Sequence, residues 1–469
     1  MKVRARGAVA AMAAGALLAT ACSYVHPPMI ARVDGPVVTT AADLGLQNLN
    51  LNPSRALAFR WDADDADWVQ IPVQVDERHE VDFGALPPGN NHQGSVGTVY
   101  GTDPIGVTAL QYSDPGTWVG ADPDATFDAD DELVFMARDA GPKAPAGAAP
   151  PSGIVGARGK QIRVTDPIDA NRGFAYVFYG TNAADSSAGQ DLVDYDFSLD
   201  GGDYLDDYKR KNGPNPESSS VTTGFYEMGF SDRWFTVDLD LGQGDILDGH
   251  KSQFAINFCG RSNRTFANAH GAFATNIDGP VRAIRSYVGA NSGPISQRTE
   301  IFYDNRYENI TDLRVHAIPG VMSFWDMNAA AAGMQYRTSE MAASVAIDGQ
   351  PDSVPGATPE WIYVHGDQGY VSRTFDLRTS FNPSTAHQYV DDTTPPSAEC
   401  WGDDGDYFGA GGVHINSSLP NTDPRTGGTD TLVAHEIAAF WPPNVNPDAW
   451  TPVWAERATQ PLKTAVTNF

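Results

Sequence analysis

Val281-Arg282-Ala283-Ile284-Arg285-Ser286-Tyr287-Val288 decides the fold class. Alternation sets Arg282, Ile284 and Ser286 on one face and Ala283, Arg285 and Tyr287 on the other, which is the period of a β-strand. The same short apolar or alternating pattern recurs at 68–76, 133–137, 174–179, 233–239, 298–303, 313–316 and 361–365. Gly, Pro, Asn and Asp bound these runs, and the chain's 46 glycines and 33 prolines supply turns along its whole length. Helical patterns are few, with 327–334 and 433–440 the best of them. The expected class is all-β, built as two antiparallel β-sandwich modules with few short helices.

Lys2, Arg4 and Arg6 precede an apolar run at 7–18 that is too short to span a bilayer, and small residues 19–21 stand before Cys22. Residues 1–21 therefore read as a signal peptide. The small residues ahead of Cys22 resemble the lipobox of bacterial lipoproteins, which implies a lipid on Cys22 and a short tether at 22–28. The family usually has leucine three residues before the cysteine, whereas Leu18 lies four before it, and ordinary cleavage near Ala21 is the alternative. The expected location is the cell surface or periplasm, with membrane contact only through the N-terminal lipid.

Lys and Arg number 31 against 59 Asp and Glu, a formal net charge of −28. Such a surface repels nucleic acid and anionic lipid and attracts divalent cations. Two further cysteines, Cys259 and Cys400, form an even pair in an exported chain and are expected to be joined as a disulfide. Inert thiols are the competing reading.

Composition sets the expected divisions. The stretch 208–220, with Lys209-Arg210-Lys211 followed by Asn, Gly, Pro and Ser, reads as a linker. It separates an N-terminal β-sandwich module at 29–207 from a C-terminal one at 221–469.

Asp122, Asp124, Asp128, Asp130, Asp131 and Glu132 crowd the segment immediately before the 133–137 strand. Alternating carboxylates in a turn can converge on one hard cation, and Ca²⁺ takes six to eight oxygens. The spacing is not that of an EF-hand, because the sixth residue from Asp122 is Phe127 rather than Gly. The segment resembles the Asp-rich loop that leads into a DELVF strand in uncharacterised exported bacterial β-domains. That resemblance implies a fold and a metal loop, not an activity. A solvated acidic turn is the alternative.

Candidate chemistry gathers in the second module. Arg261, His270, Arg282, Arg285, Tyr287 and Tyr303 put basic and titratable groups on neighbouring strands of an acidic protein. Arg can neutralise a uronate carboxylate, and Tyr or His can move the α-proton of such a sugar. Gly279-Pro280-Val281-Arg282 resembles strands in the large β-sandwiches of sugar-active proteins. The expected function is binding of a polysaccharide or an envelope component. A polysaccharide lyase-like enzyme and a purely structural envelope protein are the alternatives. His435-Glu436 lacks the second histidine of a zinc-protease helix.

Overall fold

The structure is a computed structural model, and it describes residues 29–86, 105–154, 159–180, 190–201, 217–233, 235–254, 271–289, 293–394 and 407–469. The class is all-β, as expected. Cys22, Cys259, Cys400, Arg261 and His270 lie outside the described residues.

Two large antiparallel sheets form the main sandwich. One runs, in spatial order, Ala272–Ile277, Arg282–Val288, Gln297–Tyr303, Arg306–Asp312, Leu432–Trp441, Gly369–Thr379, Trp361–Gly366, Gln335–Thr338 and Val345–Ala346. The other runs Val193–Asp196, Ser220–Thr223, Glu227–Asp232, Phe235–Asp240, Leu247–Phe254, Val321–Met327, Tyr407–Ile415 and Thr385–Asp392. Alternation gives each sheet one face for a shared core. Ala283, Phe302, Tyr307 and Phe440 from the first meet Met228, Leu239, Trp325 and Met327 from the second.

A smaller sandwich covers part of the outer face of the first sheet. Its five-stranded sheet orders Lys463–Asn468, Lys160–Thr165, Arg172–Tyr179, Ala56–Asp62 and Asp67–Ile71. Against it lies a three-stranded sheet of Pro36–Thr40, Glu132–Met136 and Gln74–Asp76. The strand Glu132–Met136 serves two cores by simple alternation. Leu133 and Phe135 enter the small sandwich, while Val134 and Met136 pack on Val281, Ile284, Ile301 and Tyr303 of the large one.

Strand pairing crosses the division expected at 208–220 twice. Val193–Asp196 pairs with Ser220–Thr223 in the large sandwich, and Lys463–Asn468 pairs with Lys160–Thr165 in the small one. A polar composition marks a connection but carries no information about which sheet its flanking strands join.

Both helical expectations are corrected. Val433 to Phe440 belongs to the strand Leu432–Trp441, held between Arg306–Asp312 and Gly369–Thr379, so its apolar run reflects burial on two faces. The segment 327–334 holds only a 3₁₀ turn at Ala329–Ala331. A helix not foreseen spans Pro447–Ala458, started by the Asn446 side chain accepting from the Asp448 N–H, with Pro at the first turn. It packs Trp454 and Ala455 onto Trp361, Tyr363 and Tyr370.

Candidate functional site

Between the small sandwich and the large one lies a groove of about 310 Å³, near the lower end of the roughly 300–1,000 Å³ usual for small-molecule sites. Register places its floor. Arg282, Ile301 and Tyr303 share the outer face with Arg306 and Glu308, and with His435 and Ile437 on the strand next to those two. Asp376 pairs directly with His435. The segment from Arg32 to Val38 and the turn from Arg457 to Leu462 form walls, with Tyr112 and Glu132 at one end.

At that end Arg282 is fully enclosed. Its Nε and Nη2 donate to Asp76 Oδ2 at 2.9 and 2.7 Å, and Nη2 also reaches Glu132 Oε2 at 2.6 Å. The guanidinium lies 5.3 Å from the Tyr112 ring centre, and Tyr112 Oη donates to Glu132 Oε2 at 2.9 Å. Arg78 holds the other oxygen of Glu132 at 2.6 Å. Burial disfavours charge on Arg282, but Tyr112, Asp76 and the neighbouring groups outweigh it and hold the guanidinium well above its ordinary pKa. Burial also lifts the Tyr303 phenol to about 12, against the pull of Arg282.

In the middle of the groove, Glu308 accepts from Arg306 Nε at 2.7 Å and from His435 Nε2 at 2.8 Å. Burial would raise the carboxyl, yet Arg306 and His435 win and depress it to about 2. Glu308 is therefore ionised. A depressed carboxyl contributes stability that is complete above its unfolded value of 4.5 and disappears as pH falls towards 2. Glu308→Gln should remove that part of the acid dependence. Thermal melts of both proteins between pH 7 and 3 check it: the gap between them should narrow below about pH 4, and a constant gap would refute the assignment.

The wall adds cations. Arg306 approaches Asp34 at 3.7 Å, Arg32 approaches Asp166 at 3.4 Å, and Arg457 pairs with Asp169 at 3.3 Å. Asp34 also accepts from Trp454 Nε1 at 2.8 Å. Arg378, largely exposed, pairs with Asp376 at 2.8 Å. Five arginines thus border one groove of a strongly acidic protein.

Arg285 and Tyr287 take the opposite face of the strand that carries Arg282, as alternation requires, and point into the sandwich. Arg285 meets Glu217 at 2.9 Å and Glu300 at 3.2 Å, over the rings of Phe230 and Phe273. Glu300 accepts from Tyr307 Oη at 2.9 Å. Arg298, His250, Glu436 and Arg373 continue this layer, all buried. Burial drives His250 well below the ordinary histidine range, and it raises Glu436. These charges lie between apolar clusters on both sides, away from the groove. Arg282, Tyr303 and, from the acidic segment, Glu132 are thus the sequence candidates that share a site. Arg306, Glu308 and His435 were missed.

The acidic loop departs from its expected ligand set. Glu132 is taken by Arg78 and Arg282, and Asp131 turns inward to accept the N–H groups of Arg78 and Asp128 at 2.7 and 2.9 Å. Neither is placed as a free ligand. Asp122 Oδ2 is buried without a hydrogen-bond partner among the described residues. Burial and a hydrogen bond with Asp130 lift Asp128 to about 7. Among the described residues no group of three or more His, Cys, Asp or Glu converges as a metal site.

No family model and no curated protein matches the chain. Distant likenesses occur among solved structures. The Slr1438 protein from Synechocystis sp. PCC 6803 is 9% identical, covering 50% of this chain and 99% of its own, at a TM-score of 0.30. A putative aldose 1-epimerase from Escherichia coli K12 is 10% identical over 53% of this chain and 100% of its own, at 0.25. An α-mannosidase from Enterococcus faecalis is 11% identical over 67% of this chain and 39% of its own, at 0.33.

Proposed function

We propose that the chain is a cell-envelope protein, tethered through a lipid on Cys22, that binds an acidic glycan in the groove between its two sandwiches. The observation that carries the reading is the groove itself. It brings Arg32, Arg282, Arg306, Arg378 and Arg457 together with Tyr112 and Tyr303 in a protein whose net charge is −28. Arginine forks suit carboxylates, so a groove bordered by them suits an acidic sugar better than a neutral one. A glycan array on the lipid-free protein tests this. Binding should favour uronate-containing chains over neutral ones and weaken with salt. Equal binding to neutral and acidic glycans, or none to either, would defeat it.

Arg378 offers a clean mutation because it is exposed and paired only with Asp376 at the groove's edge among the described residues. Arg378→Ala should leave melting unchanged and weaken uronate binding about tenfold, or roughly 1.4 kcal/mol. Titration calorimetry at low and moderate salt measures it.

Calcium belongs to the same proposal through Asp122, Asp124, Asp128 and Asp130. Asp122 Oδ2 has no hydrogen-bond partner among the described residues and Asp128 and Asp130 share a hydrogen bond, so a hard cation would have to draw these carboxylates together. Free Ca²⁺ at about a hundred times its dissociation constant would stabilise the fold by roughly 2.7 kcal/mol. Melting should be higher in Ca²⁺ than in Mg²⁺ or chelator, and Asp128→Ala with Asp130→Ala should erase the difference. Identical melting in all three solutions, with no metal found by elemental analysis, removes calcium from the reading. A disulfide between Cys259 and Cys400 is proposed on the pairing argument alone.

A further inference from the structure

We infer that the groove recognises acetylated acidic glycans, the acetyl methyl group packing on Val38 while the sugar carboxylate meets the arginines. The inference rests on the acidic-glycan reading and narrows its substrate class. Register shows where Val38 points. Pro36 pairs with Met136 and Val38 with Val134, and directly paired residues share one face of a sheet. That face is turned to the large sandwich, because Val134 and Met136 pack on Val281, Ile284, Ile301 and Tyr303. Val37, one residue off, enters the core of the small sandwich instead. Val134 and Met136 are fully buried, whereas Val38 remains 39% exposed. The apolar junction between the sandwiches thus runs on into the groove, where Val38 still meets solvent.

Sheet order says what Val38 faces. Gln74 Oε1 accepts the N–H groups of Val281 and Arg282 at 3.1 and 3.0 Å, which seats Gln74–Asp76 beside the start of the strand Arg282–Val288. Glu132–Met136 comes next and Pro36–Thr40 beyond it, with Asp34, just before that strand, 3.7 Å from Arg306. Val38 therefore lines the groove that also holds Arg306, Glu308 and His435, and the aromatic lining, Tyr112 and Tyr303, stands around Arg282 at the other end. An aliphatic wall meets a charged floor. Sugar hydroxyls pressed against Val38 would lose water without gaining a partner, whereas an acetyl methyl group gains by leaving water. An unsubstituted uronate has no such group to bury there. One buried methyl group strengthens binding roughly fourfold.

The test uses the lipid-free protein and titration calorimetry with two matched pairs of probes. One pair is an O-acetylated polyuronate and its deacetylated form. The other is an alternating polymer of uronate and N-acetylated sugar and its N-formyl counterpart, which lacks only the methyl group. Wild type should bind the acetylated member of a pair about fourfold more tightly. Such a preference in either pair supports the inference and names the linkage that carries the acetyl group. Val38→Ser should bring the ratio close to one. A loosened fold would weaken both members alike and leave the ratio, so the ratio separates contact from stability. Val38→Thr, close to valine in shape and equally at home in a strand, should lower the ratio as well. Equal affinity for both members of both pairs in wild type would overturn the acetyl inference and leave the acidic-glycan reading standing. A preference that survives both variants would overturn the role of Val38. No binding by any probe would overturn the two together.

Discussion

Arg282→Ala is expected to destabilise the protein by about 3–5 kcal/mol, the cost of breaking a buried ion pair by removing one partner. Most of that cost falls on the carboxylates left behind. Asp76 is buried and Glu132 nearly so, and both would lose the guanidinium that offsets their desolvation. Asp76 would keep Gln74 Nε2 at 2.7 Å, and Glu132 would keep Arg78 and Tyr112. Asp76 is therefore the more exposed to the loss, and pairing Arg282→Met with Asp76→Leu should recover much of it. Because Asp76 and Arg282 come from different sandwiches, the single variant should also loosen their junction. Urea unfolding measures both effects, and a loss below about 1 kcal/mol would show the pair to be replaceable by water.

Trp454→Ala is the second large change, expected to cost about 3–5 kcal/mol. The indole is fully buried against strands 361–366 and 369–379, and its Nε1 donates to Asp34. Trp454→Phe keeps most of the packing and should cost only about 1–2 kcal/mol for the lost hydrogen bond and the unpaired Asp34 oxygen. The turn after this helix walls the groove, so Trp454→Ala should weaken glycan binding more than Trp454→Phe does. If the alanine variant melts within a few degrees of wild type, the helix does not brace the groove.

Alternation made the fold class legible and set Arg282 and Arg285 on opposite faces correctly. It could not say which face would be covered by what, because the partner of Arg282 lies 206 residues away in Asp76. His435 was hidden by an Ala-rich run that suits a helix as well as a central strand, and only sheet pairing separates the two. Arg306 and Glu308 lie in a polar-looking stretch, Arg306-Tyr307-Glu308-Asn309, whose burial comes from strands on both sides. Its alternation with Tyr307, Asn309 and Thr311 was the available signal. Glu132 was misassigned for a related reason: counting carboxylates in a loop ignores arginines brought in by tertiary structure.

The strand Lys463–Asn468 completes the sheet that begins near residue 56, and Gln161 meets Thr467 across 306 positions of sequence. A chain emerging from its N-terminus cannot seal that sheet's edge at Lys160–Thr165 until residues 463–468 arrive. The early sandwich must therefore wait, partly open, while the large one assembles. An edge left unpaired is a template for other strands. A polypeptide kept unfolded until both strands are available would present them together and escape that interval of exposure.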